Sequence, residues 1–354
     1  MAFLTRHNDM KTIYKTLTLS LTIANALLMT GCYSDFEPDI ASTPVVCINA
    51  DIRAGEKISA EVTRTWRYSE GDPNIGMTDI WLRDADVTIT VNETDYKATY
   101  REYPADGFDG RPRRVFEIDC VAREGDNITI HAADKTYGEA FGSVTVPRSV
   151  PIENVTWNSR PYDGGQSSWW GEDMFSLNMK VTFTDPGSSD DYYIFGYDVD
   201  LRGGQTDGDI HESFQTYGGL DVKSEPLFSE HVDALETIVG DNEAYTFFSD
   251  RQISGKTYSL NISFPQCVYR SDDDHGTLQG KFIVEFSRIS VSYYRYMLSL
   301  WATEEGIQGA LGGVGLGNPV WEYSNVSTGA GIISASATSR YPIPLHRLPP
   351  QDGK

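Results

Sequence analysis

Positive charge is scarce in this 354-residue chain: 29 Lys and Arg face 51 Asp and Glu, for a formal net charge of −22. A polyanion of this kind repels nucleic acid and anionic membrane surfaces, because both are held through positive charge on the protein. Cysteine is scarcer still, at 4 residues, and its spacing fits neither a zinc nor a redox motif. The histidines after the first few residues (His131, His211, His231, His275, His346) form no helical His pair and no His-Glu motif, so catalytic zinc has no support. No Gly-x-Ser-x-Gly elbow occurs, which removes the simplest serine hydrolase. Past residue 31 there is no long apolar run, so the body does not span a membrane as a helix. Aromatics are plentiful at 12%, with 20 tyrosines, too many for a disordered acidic chain. The length suggests about two domains of roughly 150 residues each.

The amino end is organised differently. Lys11 and Lys15 precede a short, mostly apolar run from Leu17 to Met29, and Thr30-Gly31-Cys32 follows. The run is too short for a membrane helix, which needs about 20 apolar residues, and Thr18, Ser20, Thr22 and Asn25 interrupt it. This is the layout of a secretory signal, residues 1–31, with a small-residue cleavage site ending at a cysteine. It looks like a bacterial lipobox, with Cys32 as the acylated first residue of the mature chain, although Met29 stands where leucine is more usual. Residues 32–43 then read as an acidic tether. Asp35, Glu37 and Asp39 resemble the surface-export tether of Bacteroidota lipoproteins, and they equally suit a solvated acidic linker.

From residue 44 the pattern is β. An apolar run at 45–48 is followed by alternation at 58–62, 87–91, 96–100, 116–120 and 128–132, and 141–146 closes the series. About seven short strands with turn signals between them predict an immunoglobulin-like β-sandwich over 44–147. Pro147 and Pro151 bracket a linker. A second β-rich domain is expected over 152–346. In it Phe175–Phe183 stops at Asp185-Pro186-Gly187 and Tyr193–Leu201 returns as its hairpin partner. Ser290 caps one amphipathic helix over 290–305, near the C-terminus and packed on the second sandwich, with Val291, Tyr294, Met297, Leu298 and Trp301 along its stripe. A strand over 331–338 and a tail, 347–354, close the chain. The expected fold class is therefore mainly β, in two β-sandwich domains. Of the cysteines, Cys47, Cys120 and Cys267 remain once Cys32 is lipidated. Cys47 and Cys120 sit in apolar strands and read as small buried hydrophobes, with a bridge between them left open.

Few residues suggest a site. Asp272-Asp273-Asp274-His275 is a dense oxygen cluster that suits Ca2+, which takes six to eight oxygen ligands. Adjacent residues in an extended chain point different ways, however, so a solvated hairpin tip explains it as well. Asp185, Asp190 and Asp191 make a weaker version of the same case. Tyr162, Trp169 and Trp170 fall in a Gly- and Ser-rich loop where exposed rings would suit ligand or partner contact. The alternative is that the tryptophans cap the second core. Gly313-Val314-Gly315-Leu316-Gly317 follows a predicted helix rather than a strand, so it lacks the context of a phosphate loop.

Asp35-Phe36-Glu37-Pro38, the strand Val45–Ile52, Ala85-Asp86-Val87 and Thr145-Val146-Pro147 carry a resemblance to a known family. So do Phe183-Thr184-Asp185-Pro186-Gly187 with Tyr192-Tyr193, Phe248-Ser249-Asp250 with Gly255-Lys256-Tyr258, Ser290 with Tyr293–Tyr296, and the run from Asn318 to Ile332. Together they resemble the Bacteroidota outer-membrane lipoproteins catalogued as domain of unknown function 4249. The resemblance implies a lipid-anchored protein of the cell outer membrane, facing outside, whose partner is a TonB-dependent transporter. It carries no catalytic residues. The resulting expectation is a non-enzymatic accessory or ligand-binding protein. A structural or adhesive surface protein is the alternative, and a hydrolase with a dispersed site the least favoured reading.

Overall fold

Burial alternates along many of the core strands. In β1 (Val46–Arg53) the side chains of Val46, Ile48, Ala50 and Ile52 are buried while Asn49, Asp51 and Arg53 face water. In β10 (Phe175–Thr184) the same rhythm buries Phe175, Leu177, Met179, Val181 and Phe183. Successive side chains point to opposite faces of a sheet, so each strand offers one apolar face that a second layer must cover. The computed structural model describes residues 43–66, 70, 78–104, 112–162, 174–201, 212–217, 219–221, 225–229, 246–271, 280–304 and 322–350.

Three sheets answer that need. The largest has eight strands in the order β13 (Phe247–Ser249), β11 (Tyr192–Asp200), β15 (Lys281–Ile289), β17 (Ala330–Pro344), β1, β2 (Lys57–Arg64), β6 (Arg113–Val121) and β5 (Thr99–Tyr103). A five-stranded sheet runs β16 (Val326–Ser327), β8 (Gly138–Thr145), β7 (Asn127–Asp134), β3 (Asp86–Val91), β4 (Thr94–Lys97). A four-stranded sheet runs β12 (Glu212–Tyr217), β14 (Thr257–Ser271), β10, β9 (Asn154–Pro161). The five-stranded sheet covers one half of the large sheet, and the four-stranded sheet covers the other. Two cores result. One gathers Ile48, Ile58, Ile89, Phe116 and Ile130 with Ile333 and Ala335. The other gathers Phe183, Tyr193, Phe264, Phe282 and Phe286 with Ile343.

The strand β17 belongs to both cores. Its pairing with β1 is parallel, from Cys47 opposite Ala330 to Arg53 opposite Ser336. Its other edge pairs antiparallel with β15, from Ile289 opposite Ser336 to Lys281 opposite Pro344. From Pro44 onward the described chain forms one compact unit. The close approach at Gly331 makes the parallel ladder possible: its φ is +108°, and a Cβ there would sit 2.1 Å from the carbonyl oxygen of Ile48.

The helix α1 (Val291–Glu304) occupies nearly the expected span. The hydroxyl of Ser290 accepts the amide of Tyr293 at 3.3 Å and that of Ala335 at 3.1 Å, so the cap also ties the helix start to β17. Tyr294, Tyr293, Met297 and Leu298 pack on Phe247, Ile289, Tyr192 and Ile194.

Two expectations change. Strands β10 and β11 are not hairpin partners: β10 pairs with β9 and β14, and β11 with β13 and β15. The turn at Asp185 carries the chain from one sheet to the facing sheet, so Phe183 and Tyr193 meet across the core, ring centroids 5.5 Å apart, instead of along a ladder. The strand expected over 96–100 is two strands. β4 pairs with β3, β5 pairs with β6 in the other sheet, and the buried Ala98 marks the crossing. Asn92 and Glu93, at φ 47° and 71°, make the left-handed turn between β3 and β4. Among the described residues Cys47, Cys120 and Cys267 are free thiols, which settles the open bridge against pairing. Burial raises the Cys47 thiol and pushes that of Cys267 up to about 12.

Replacing Gly331 by alanine should therefore be costly. The strained φ alone is worth about 1–3 kcal/mol, and the clash with Ile48 adds to it. Equilibrium denaturation in urea should show a lower midpoint for Gly331→Ala, whereas Gly55→Ala, with no atom within 4 Å of its added Cβ, pays for φ alone.

Candidate functional site

Two turns lie side by side at one end of the aromatic core. One, 185–191, joins β10 to β11, and the other, 250–256, joins β13 to β14. Aspartates hold them together. The Asp185 amide donates to the Lys256 carbonyl at 3.0 Å, and the Asp250 amide to the Asp191 carbonyl at 2.9 Å. The Oδ1 atom of Asp185 accepts the amides of Gly187 and Gly255, each at 2.8 Å. Both glycines have positive φ, and a Cβ on Gly187 would sit 2.6 Å from the Cα of Gly255. Only glycine lets the two turns approach this closely.

The floor of the site is aromatic. Tyr193 is fully buried, stacked on Phe286 with centroids 5.0 Å apart, and its hydroxyl donates to Asp185 Oδ2 at 2.5 Å. Burial first, and then the Asp185 carboxylate, raise the phenol well above its ordinary range, so it serves as a donor at any working pH. Asp191 Oδ1 accepts the Ser189 hydroxyl at 3.0 Å and the guanidinium of Arg288, which reaches it from β15. Asp191 Oδ2 is buried and has no hydrogen-bond partner among the described residues. Asp250 completes the group, and burial holds its carboxyl above the usual carboxylate range, with Asp185 and Asp191 pushing the same way.

One oxygen from each of Asp185, Asp191 and Asp250 lies within 4.8 Å of the others. Their exposures are 1%, 2% and 3%, so a substrate in solution does not reach them. The chemistry open to such a cluster is to hold a proton or a cation, because a buried carboxylate without a counter-charge is strongly destabilising.

Two open depressions lie elsewhere. One, of about 530 Å3, is bounded by Asp51, Arg53, Glu61 and Arg113 on the outer face of the large sheet and by Tyr293 and Tyr296 of α1. Burial raises the Glu61 carboxyl, and Arg113 partly offsets this. The other, of about 570 Å3, lies over the four-stranded sheet and presents Asn158, Asn178, Lys180, Asp221, Asn261 and Ser263.

The residues singled out from sequence fare differently. Tyr162 follows β9, and its hydroxyl accepts the Gln266 side-chain amide at 2.7 Å, which fastens that end of the sheet. Cys32, Trp169, Trp170, Asp272, Asp273 and Asp274, together with residues 313–317, lie outside the described residues. Asp185 and Asp191 do come together, but the exposed Asp190 is not in the group. Asp250 and Arg288 take its place. Asp250 stands in Phe248-Ser249-Asp250, which was marked in the sequence only among the residues that carry the family resemblance. Nothing in the sequence marked Arg288.

Among the described residues no helix is long and apolar enough to cross a membrane. The architecture is that of a mainly β protein whose sandwiches share a sheet, with a charged cluster sealed at a turn and open polar grooves outside. The chain belongs to the family described as Domain of unknown function (DUF4249), whose model matches residues 33–341. No curated protein matches the chain.

The Tyr193→Phe substitution should cost about 1–3 kcal/mol, because it leaves Asp185 Oδ2 buried and unpaired. Chemical denaturation would read the loss. Asp250 has a second signature. The unfolded chain releases its proton near the ordinary value of 3.8 and the folded chain holds it to a higher pH, so its contribution to stability falls as pH rises through that interval. With a chelator present, Asp250→Asn should be the more stable protein at neutral pH, and the advantage should vanish toward pH 3.

Proposed function

We propose that this protein is a lipid-anchored, non-enzymatic accessory of a TonB-dependent transporter, held on the outer face of the outer membrane. The observation that carries the reading is the position of Cys32. It closes a short apolar leader, and the family match begins at the very next residue, 33. Residues 33–45 span at most about 45 Å when extended, which keeps the body close to the surface that holds the lipid. A net charge of −22 disfavours adhesion of the body itself to anionic lipid or nucleic acid. The two open depressions, one of mixed charge and one rich in side-chain amides, are the faces suited to a polar ligand or a protein partner. No motif of a hydrolase supports the enzymatic alternative.

We further infer that the first sandwich is immunoglobulin-like. Support comes from its strand orders, β1-β2-β6-β5 in one sheet and β8-β7-β3-β4 in the other. These follow the A-B-E-D and G-F-C arrangement of that fold with one added strand.

Two measurements test the functional reading. Cells fed a clickable palmitate analogue should label the wild-type protein and not Cys32→Ala, and the variant should appear in the soluble fraction. Equal labelling of both would remove the anchor from the account. A tagged copy drawn from solubilised outer membrane should bring a β-barrel transporter with it. Recovery of further copies of this chain alone would favour the structural or adhesive alternative instead.

A further inference from the structure

The sealed cluster at the two turns is out of balance. Three carboxylates, Asp185, Asp191 and Asp250, face one guanidinium, that of Arg288. Two negative charges are left over in a place almost without solvent, where an uncompensated charge is costly. The oxygen at which this imbalance surfaces is Asp191 Oδ2. The residue is 2% exposed, its Oδ1 is taken by Ser189 and Arg288, and its Oδ2 has no partner among the described residues. Asp185 is by contrast held at both oxygens, Oδ1 by the amides of Gly187 and Gly255 and Oδ2 by the single donor Tyr193, so its position is set while Oδ2 keeps a lone pair for a further ligand.

We propose that Asp185, Asp191 and Asp250 form a structural divalent-cation site, and that calcium fills it. The charge left over equals that of one divalent ion. The donor set is all oxygen, which suits a hard cation and not zinc. Calcium stands about 2.3–2.6 Å from each ligand oxygen, so oxygens within 4.8 Å of one another can all touch one such ion. The ion would join the turn after β10 to the turn after β13 and lock the β13–β11 end of the large sheet to the four-stranded sheet. Its partner at Asp191 Oδ2 would be the missing one. The site is independent of the lipid anchor and of any transporter.

A proton is the competing occupant. A neutral Asp250 carboxyl could donate to the free oxygen of Asp191, and the experiment separates the two. The detergent-solubilised full chain, stripped with EGTA and dialysed into calcium-free buffer at pH 7.5, is titrated with CaCl2 by calorimetry and by thermal unfolding. The expected result is one ion per chain and a rise in unfolding temperature with added calcium. Asp191→Asn should weaken the binding at least tenfold, and Asp190→Asn, exposed and next in sequence, should leave it unchanged. If Asp191→Asn fails to fold, Asp250→Asn serves in its place. Tb3+ luminescence excited through tyrosine gives a second readout on the wild-type protein, since the Tyr193 hydroxyl rests on Asp185. Calcium should quench that signal competitively. The proposal is overturned if the stripped protein neither binds calcium nor gains thermal stability. It is overturned equally if binding persists undiminished in the folded Asp191→Asn and Asp250→Asn proteins, which would place the ion elsewhere. Absence of a calcium effect, with a stripped protein more stable at pH 5 than at pH 7.5, would assign the cluster to the proton.

Discussion

The parallel ladder between β1 and β17 is the interaction on which the rest of the fold depends. Without it β17 would have no partner beyond β15, and the large sheet would fall into two unconnected pieces. With it, Ile333 and Ala335 complete the first core while Ile343, ten residues on from Ile333, lies in the second. A parallel pair cannot be closed by a tight turn, and here the connection is almost the whole chain. The contact is as non-local as the sequence allows, so its entropy must be met before either core is complete. Gly331 explains why the ladder forms at that register, since a side chain there would strike the Ile48 carbonyl.

The second core is held in a different way from the first. The first is mainly aliphatic, with β-branched side chains from both sheets and Phe116 its one buried ring among the described residues. The second is a chain of rings: Phe183, Tyr193, Phe286 and Phe248 meet at centroid distances between 4.3 and 6.4 Å. Tyr193 closes that stack with a polar end, and the hydroxyl finds Asp185. Aromatic packing and the buried carboxylates are thus one construction. The rings exclude water, the exclusion makes the charges expensive, and the glycine-lined turns supply amides that settle part of the cost.

Much of this was legible from residue order. Period-two alternation placed β2, β3, β7 and β10, and the Ser290 cap with the apolar stripe after it placed the helix to within a residue at each end. Pairing was not legible where the chain changes sheets. Asp185-Pro186-Gly187 has the composition of a hairpin turn, and nothing local reveals that the strand after it pairs elsewhere. That choice rests on which faces the distant β14 and β15 leave open. The same limit applies at Ala98, where one run of alternation serves two sheets. In the candidate site Asp185 and Asp191 carried a signal through their spacing. Asp250 lies some sixty residues on and Arg288 nearly a hundred, so their meeting is a property of topology and not of any motif.

The location of β1 has a mechanical consequence. It is the first strand among the described residues, yet it lies inside the sheet, bonded to β2 on one side and to β17 on the other. A load transmitted through the preceding residues and directed along β1 would stress both ladders in shear, many bonds sharing it at once. An edge strand would instead peel open one pair at a time. A body that must stay folded while tugged from its leading end is well served by having that end gripped from both flanks.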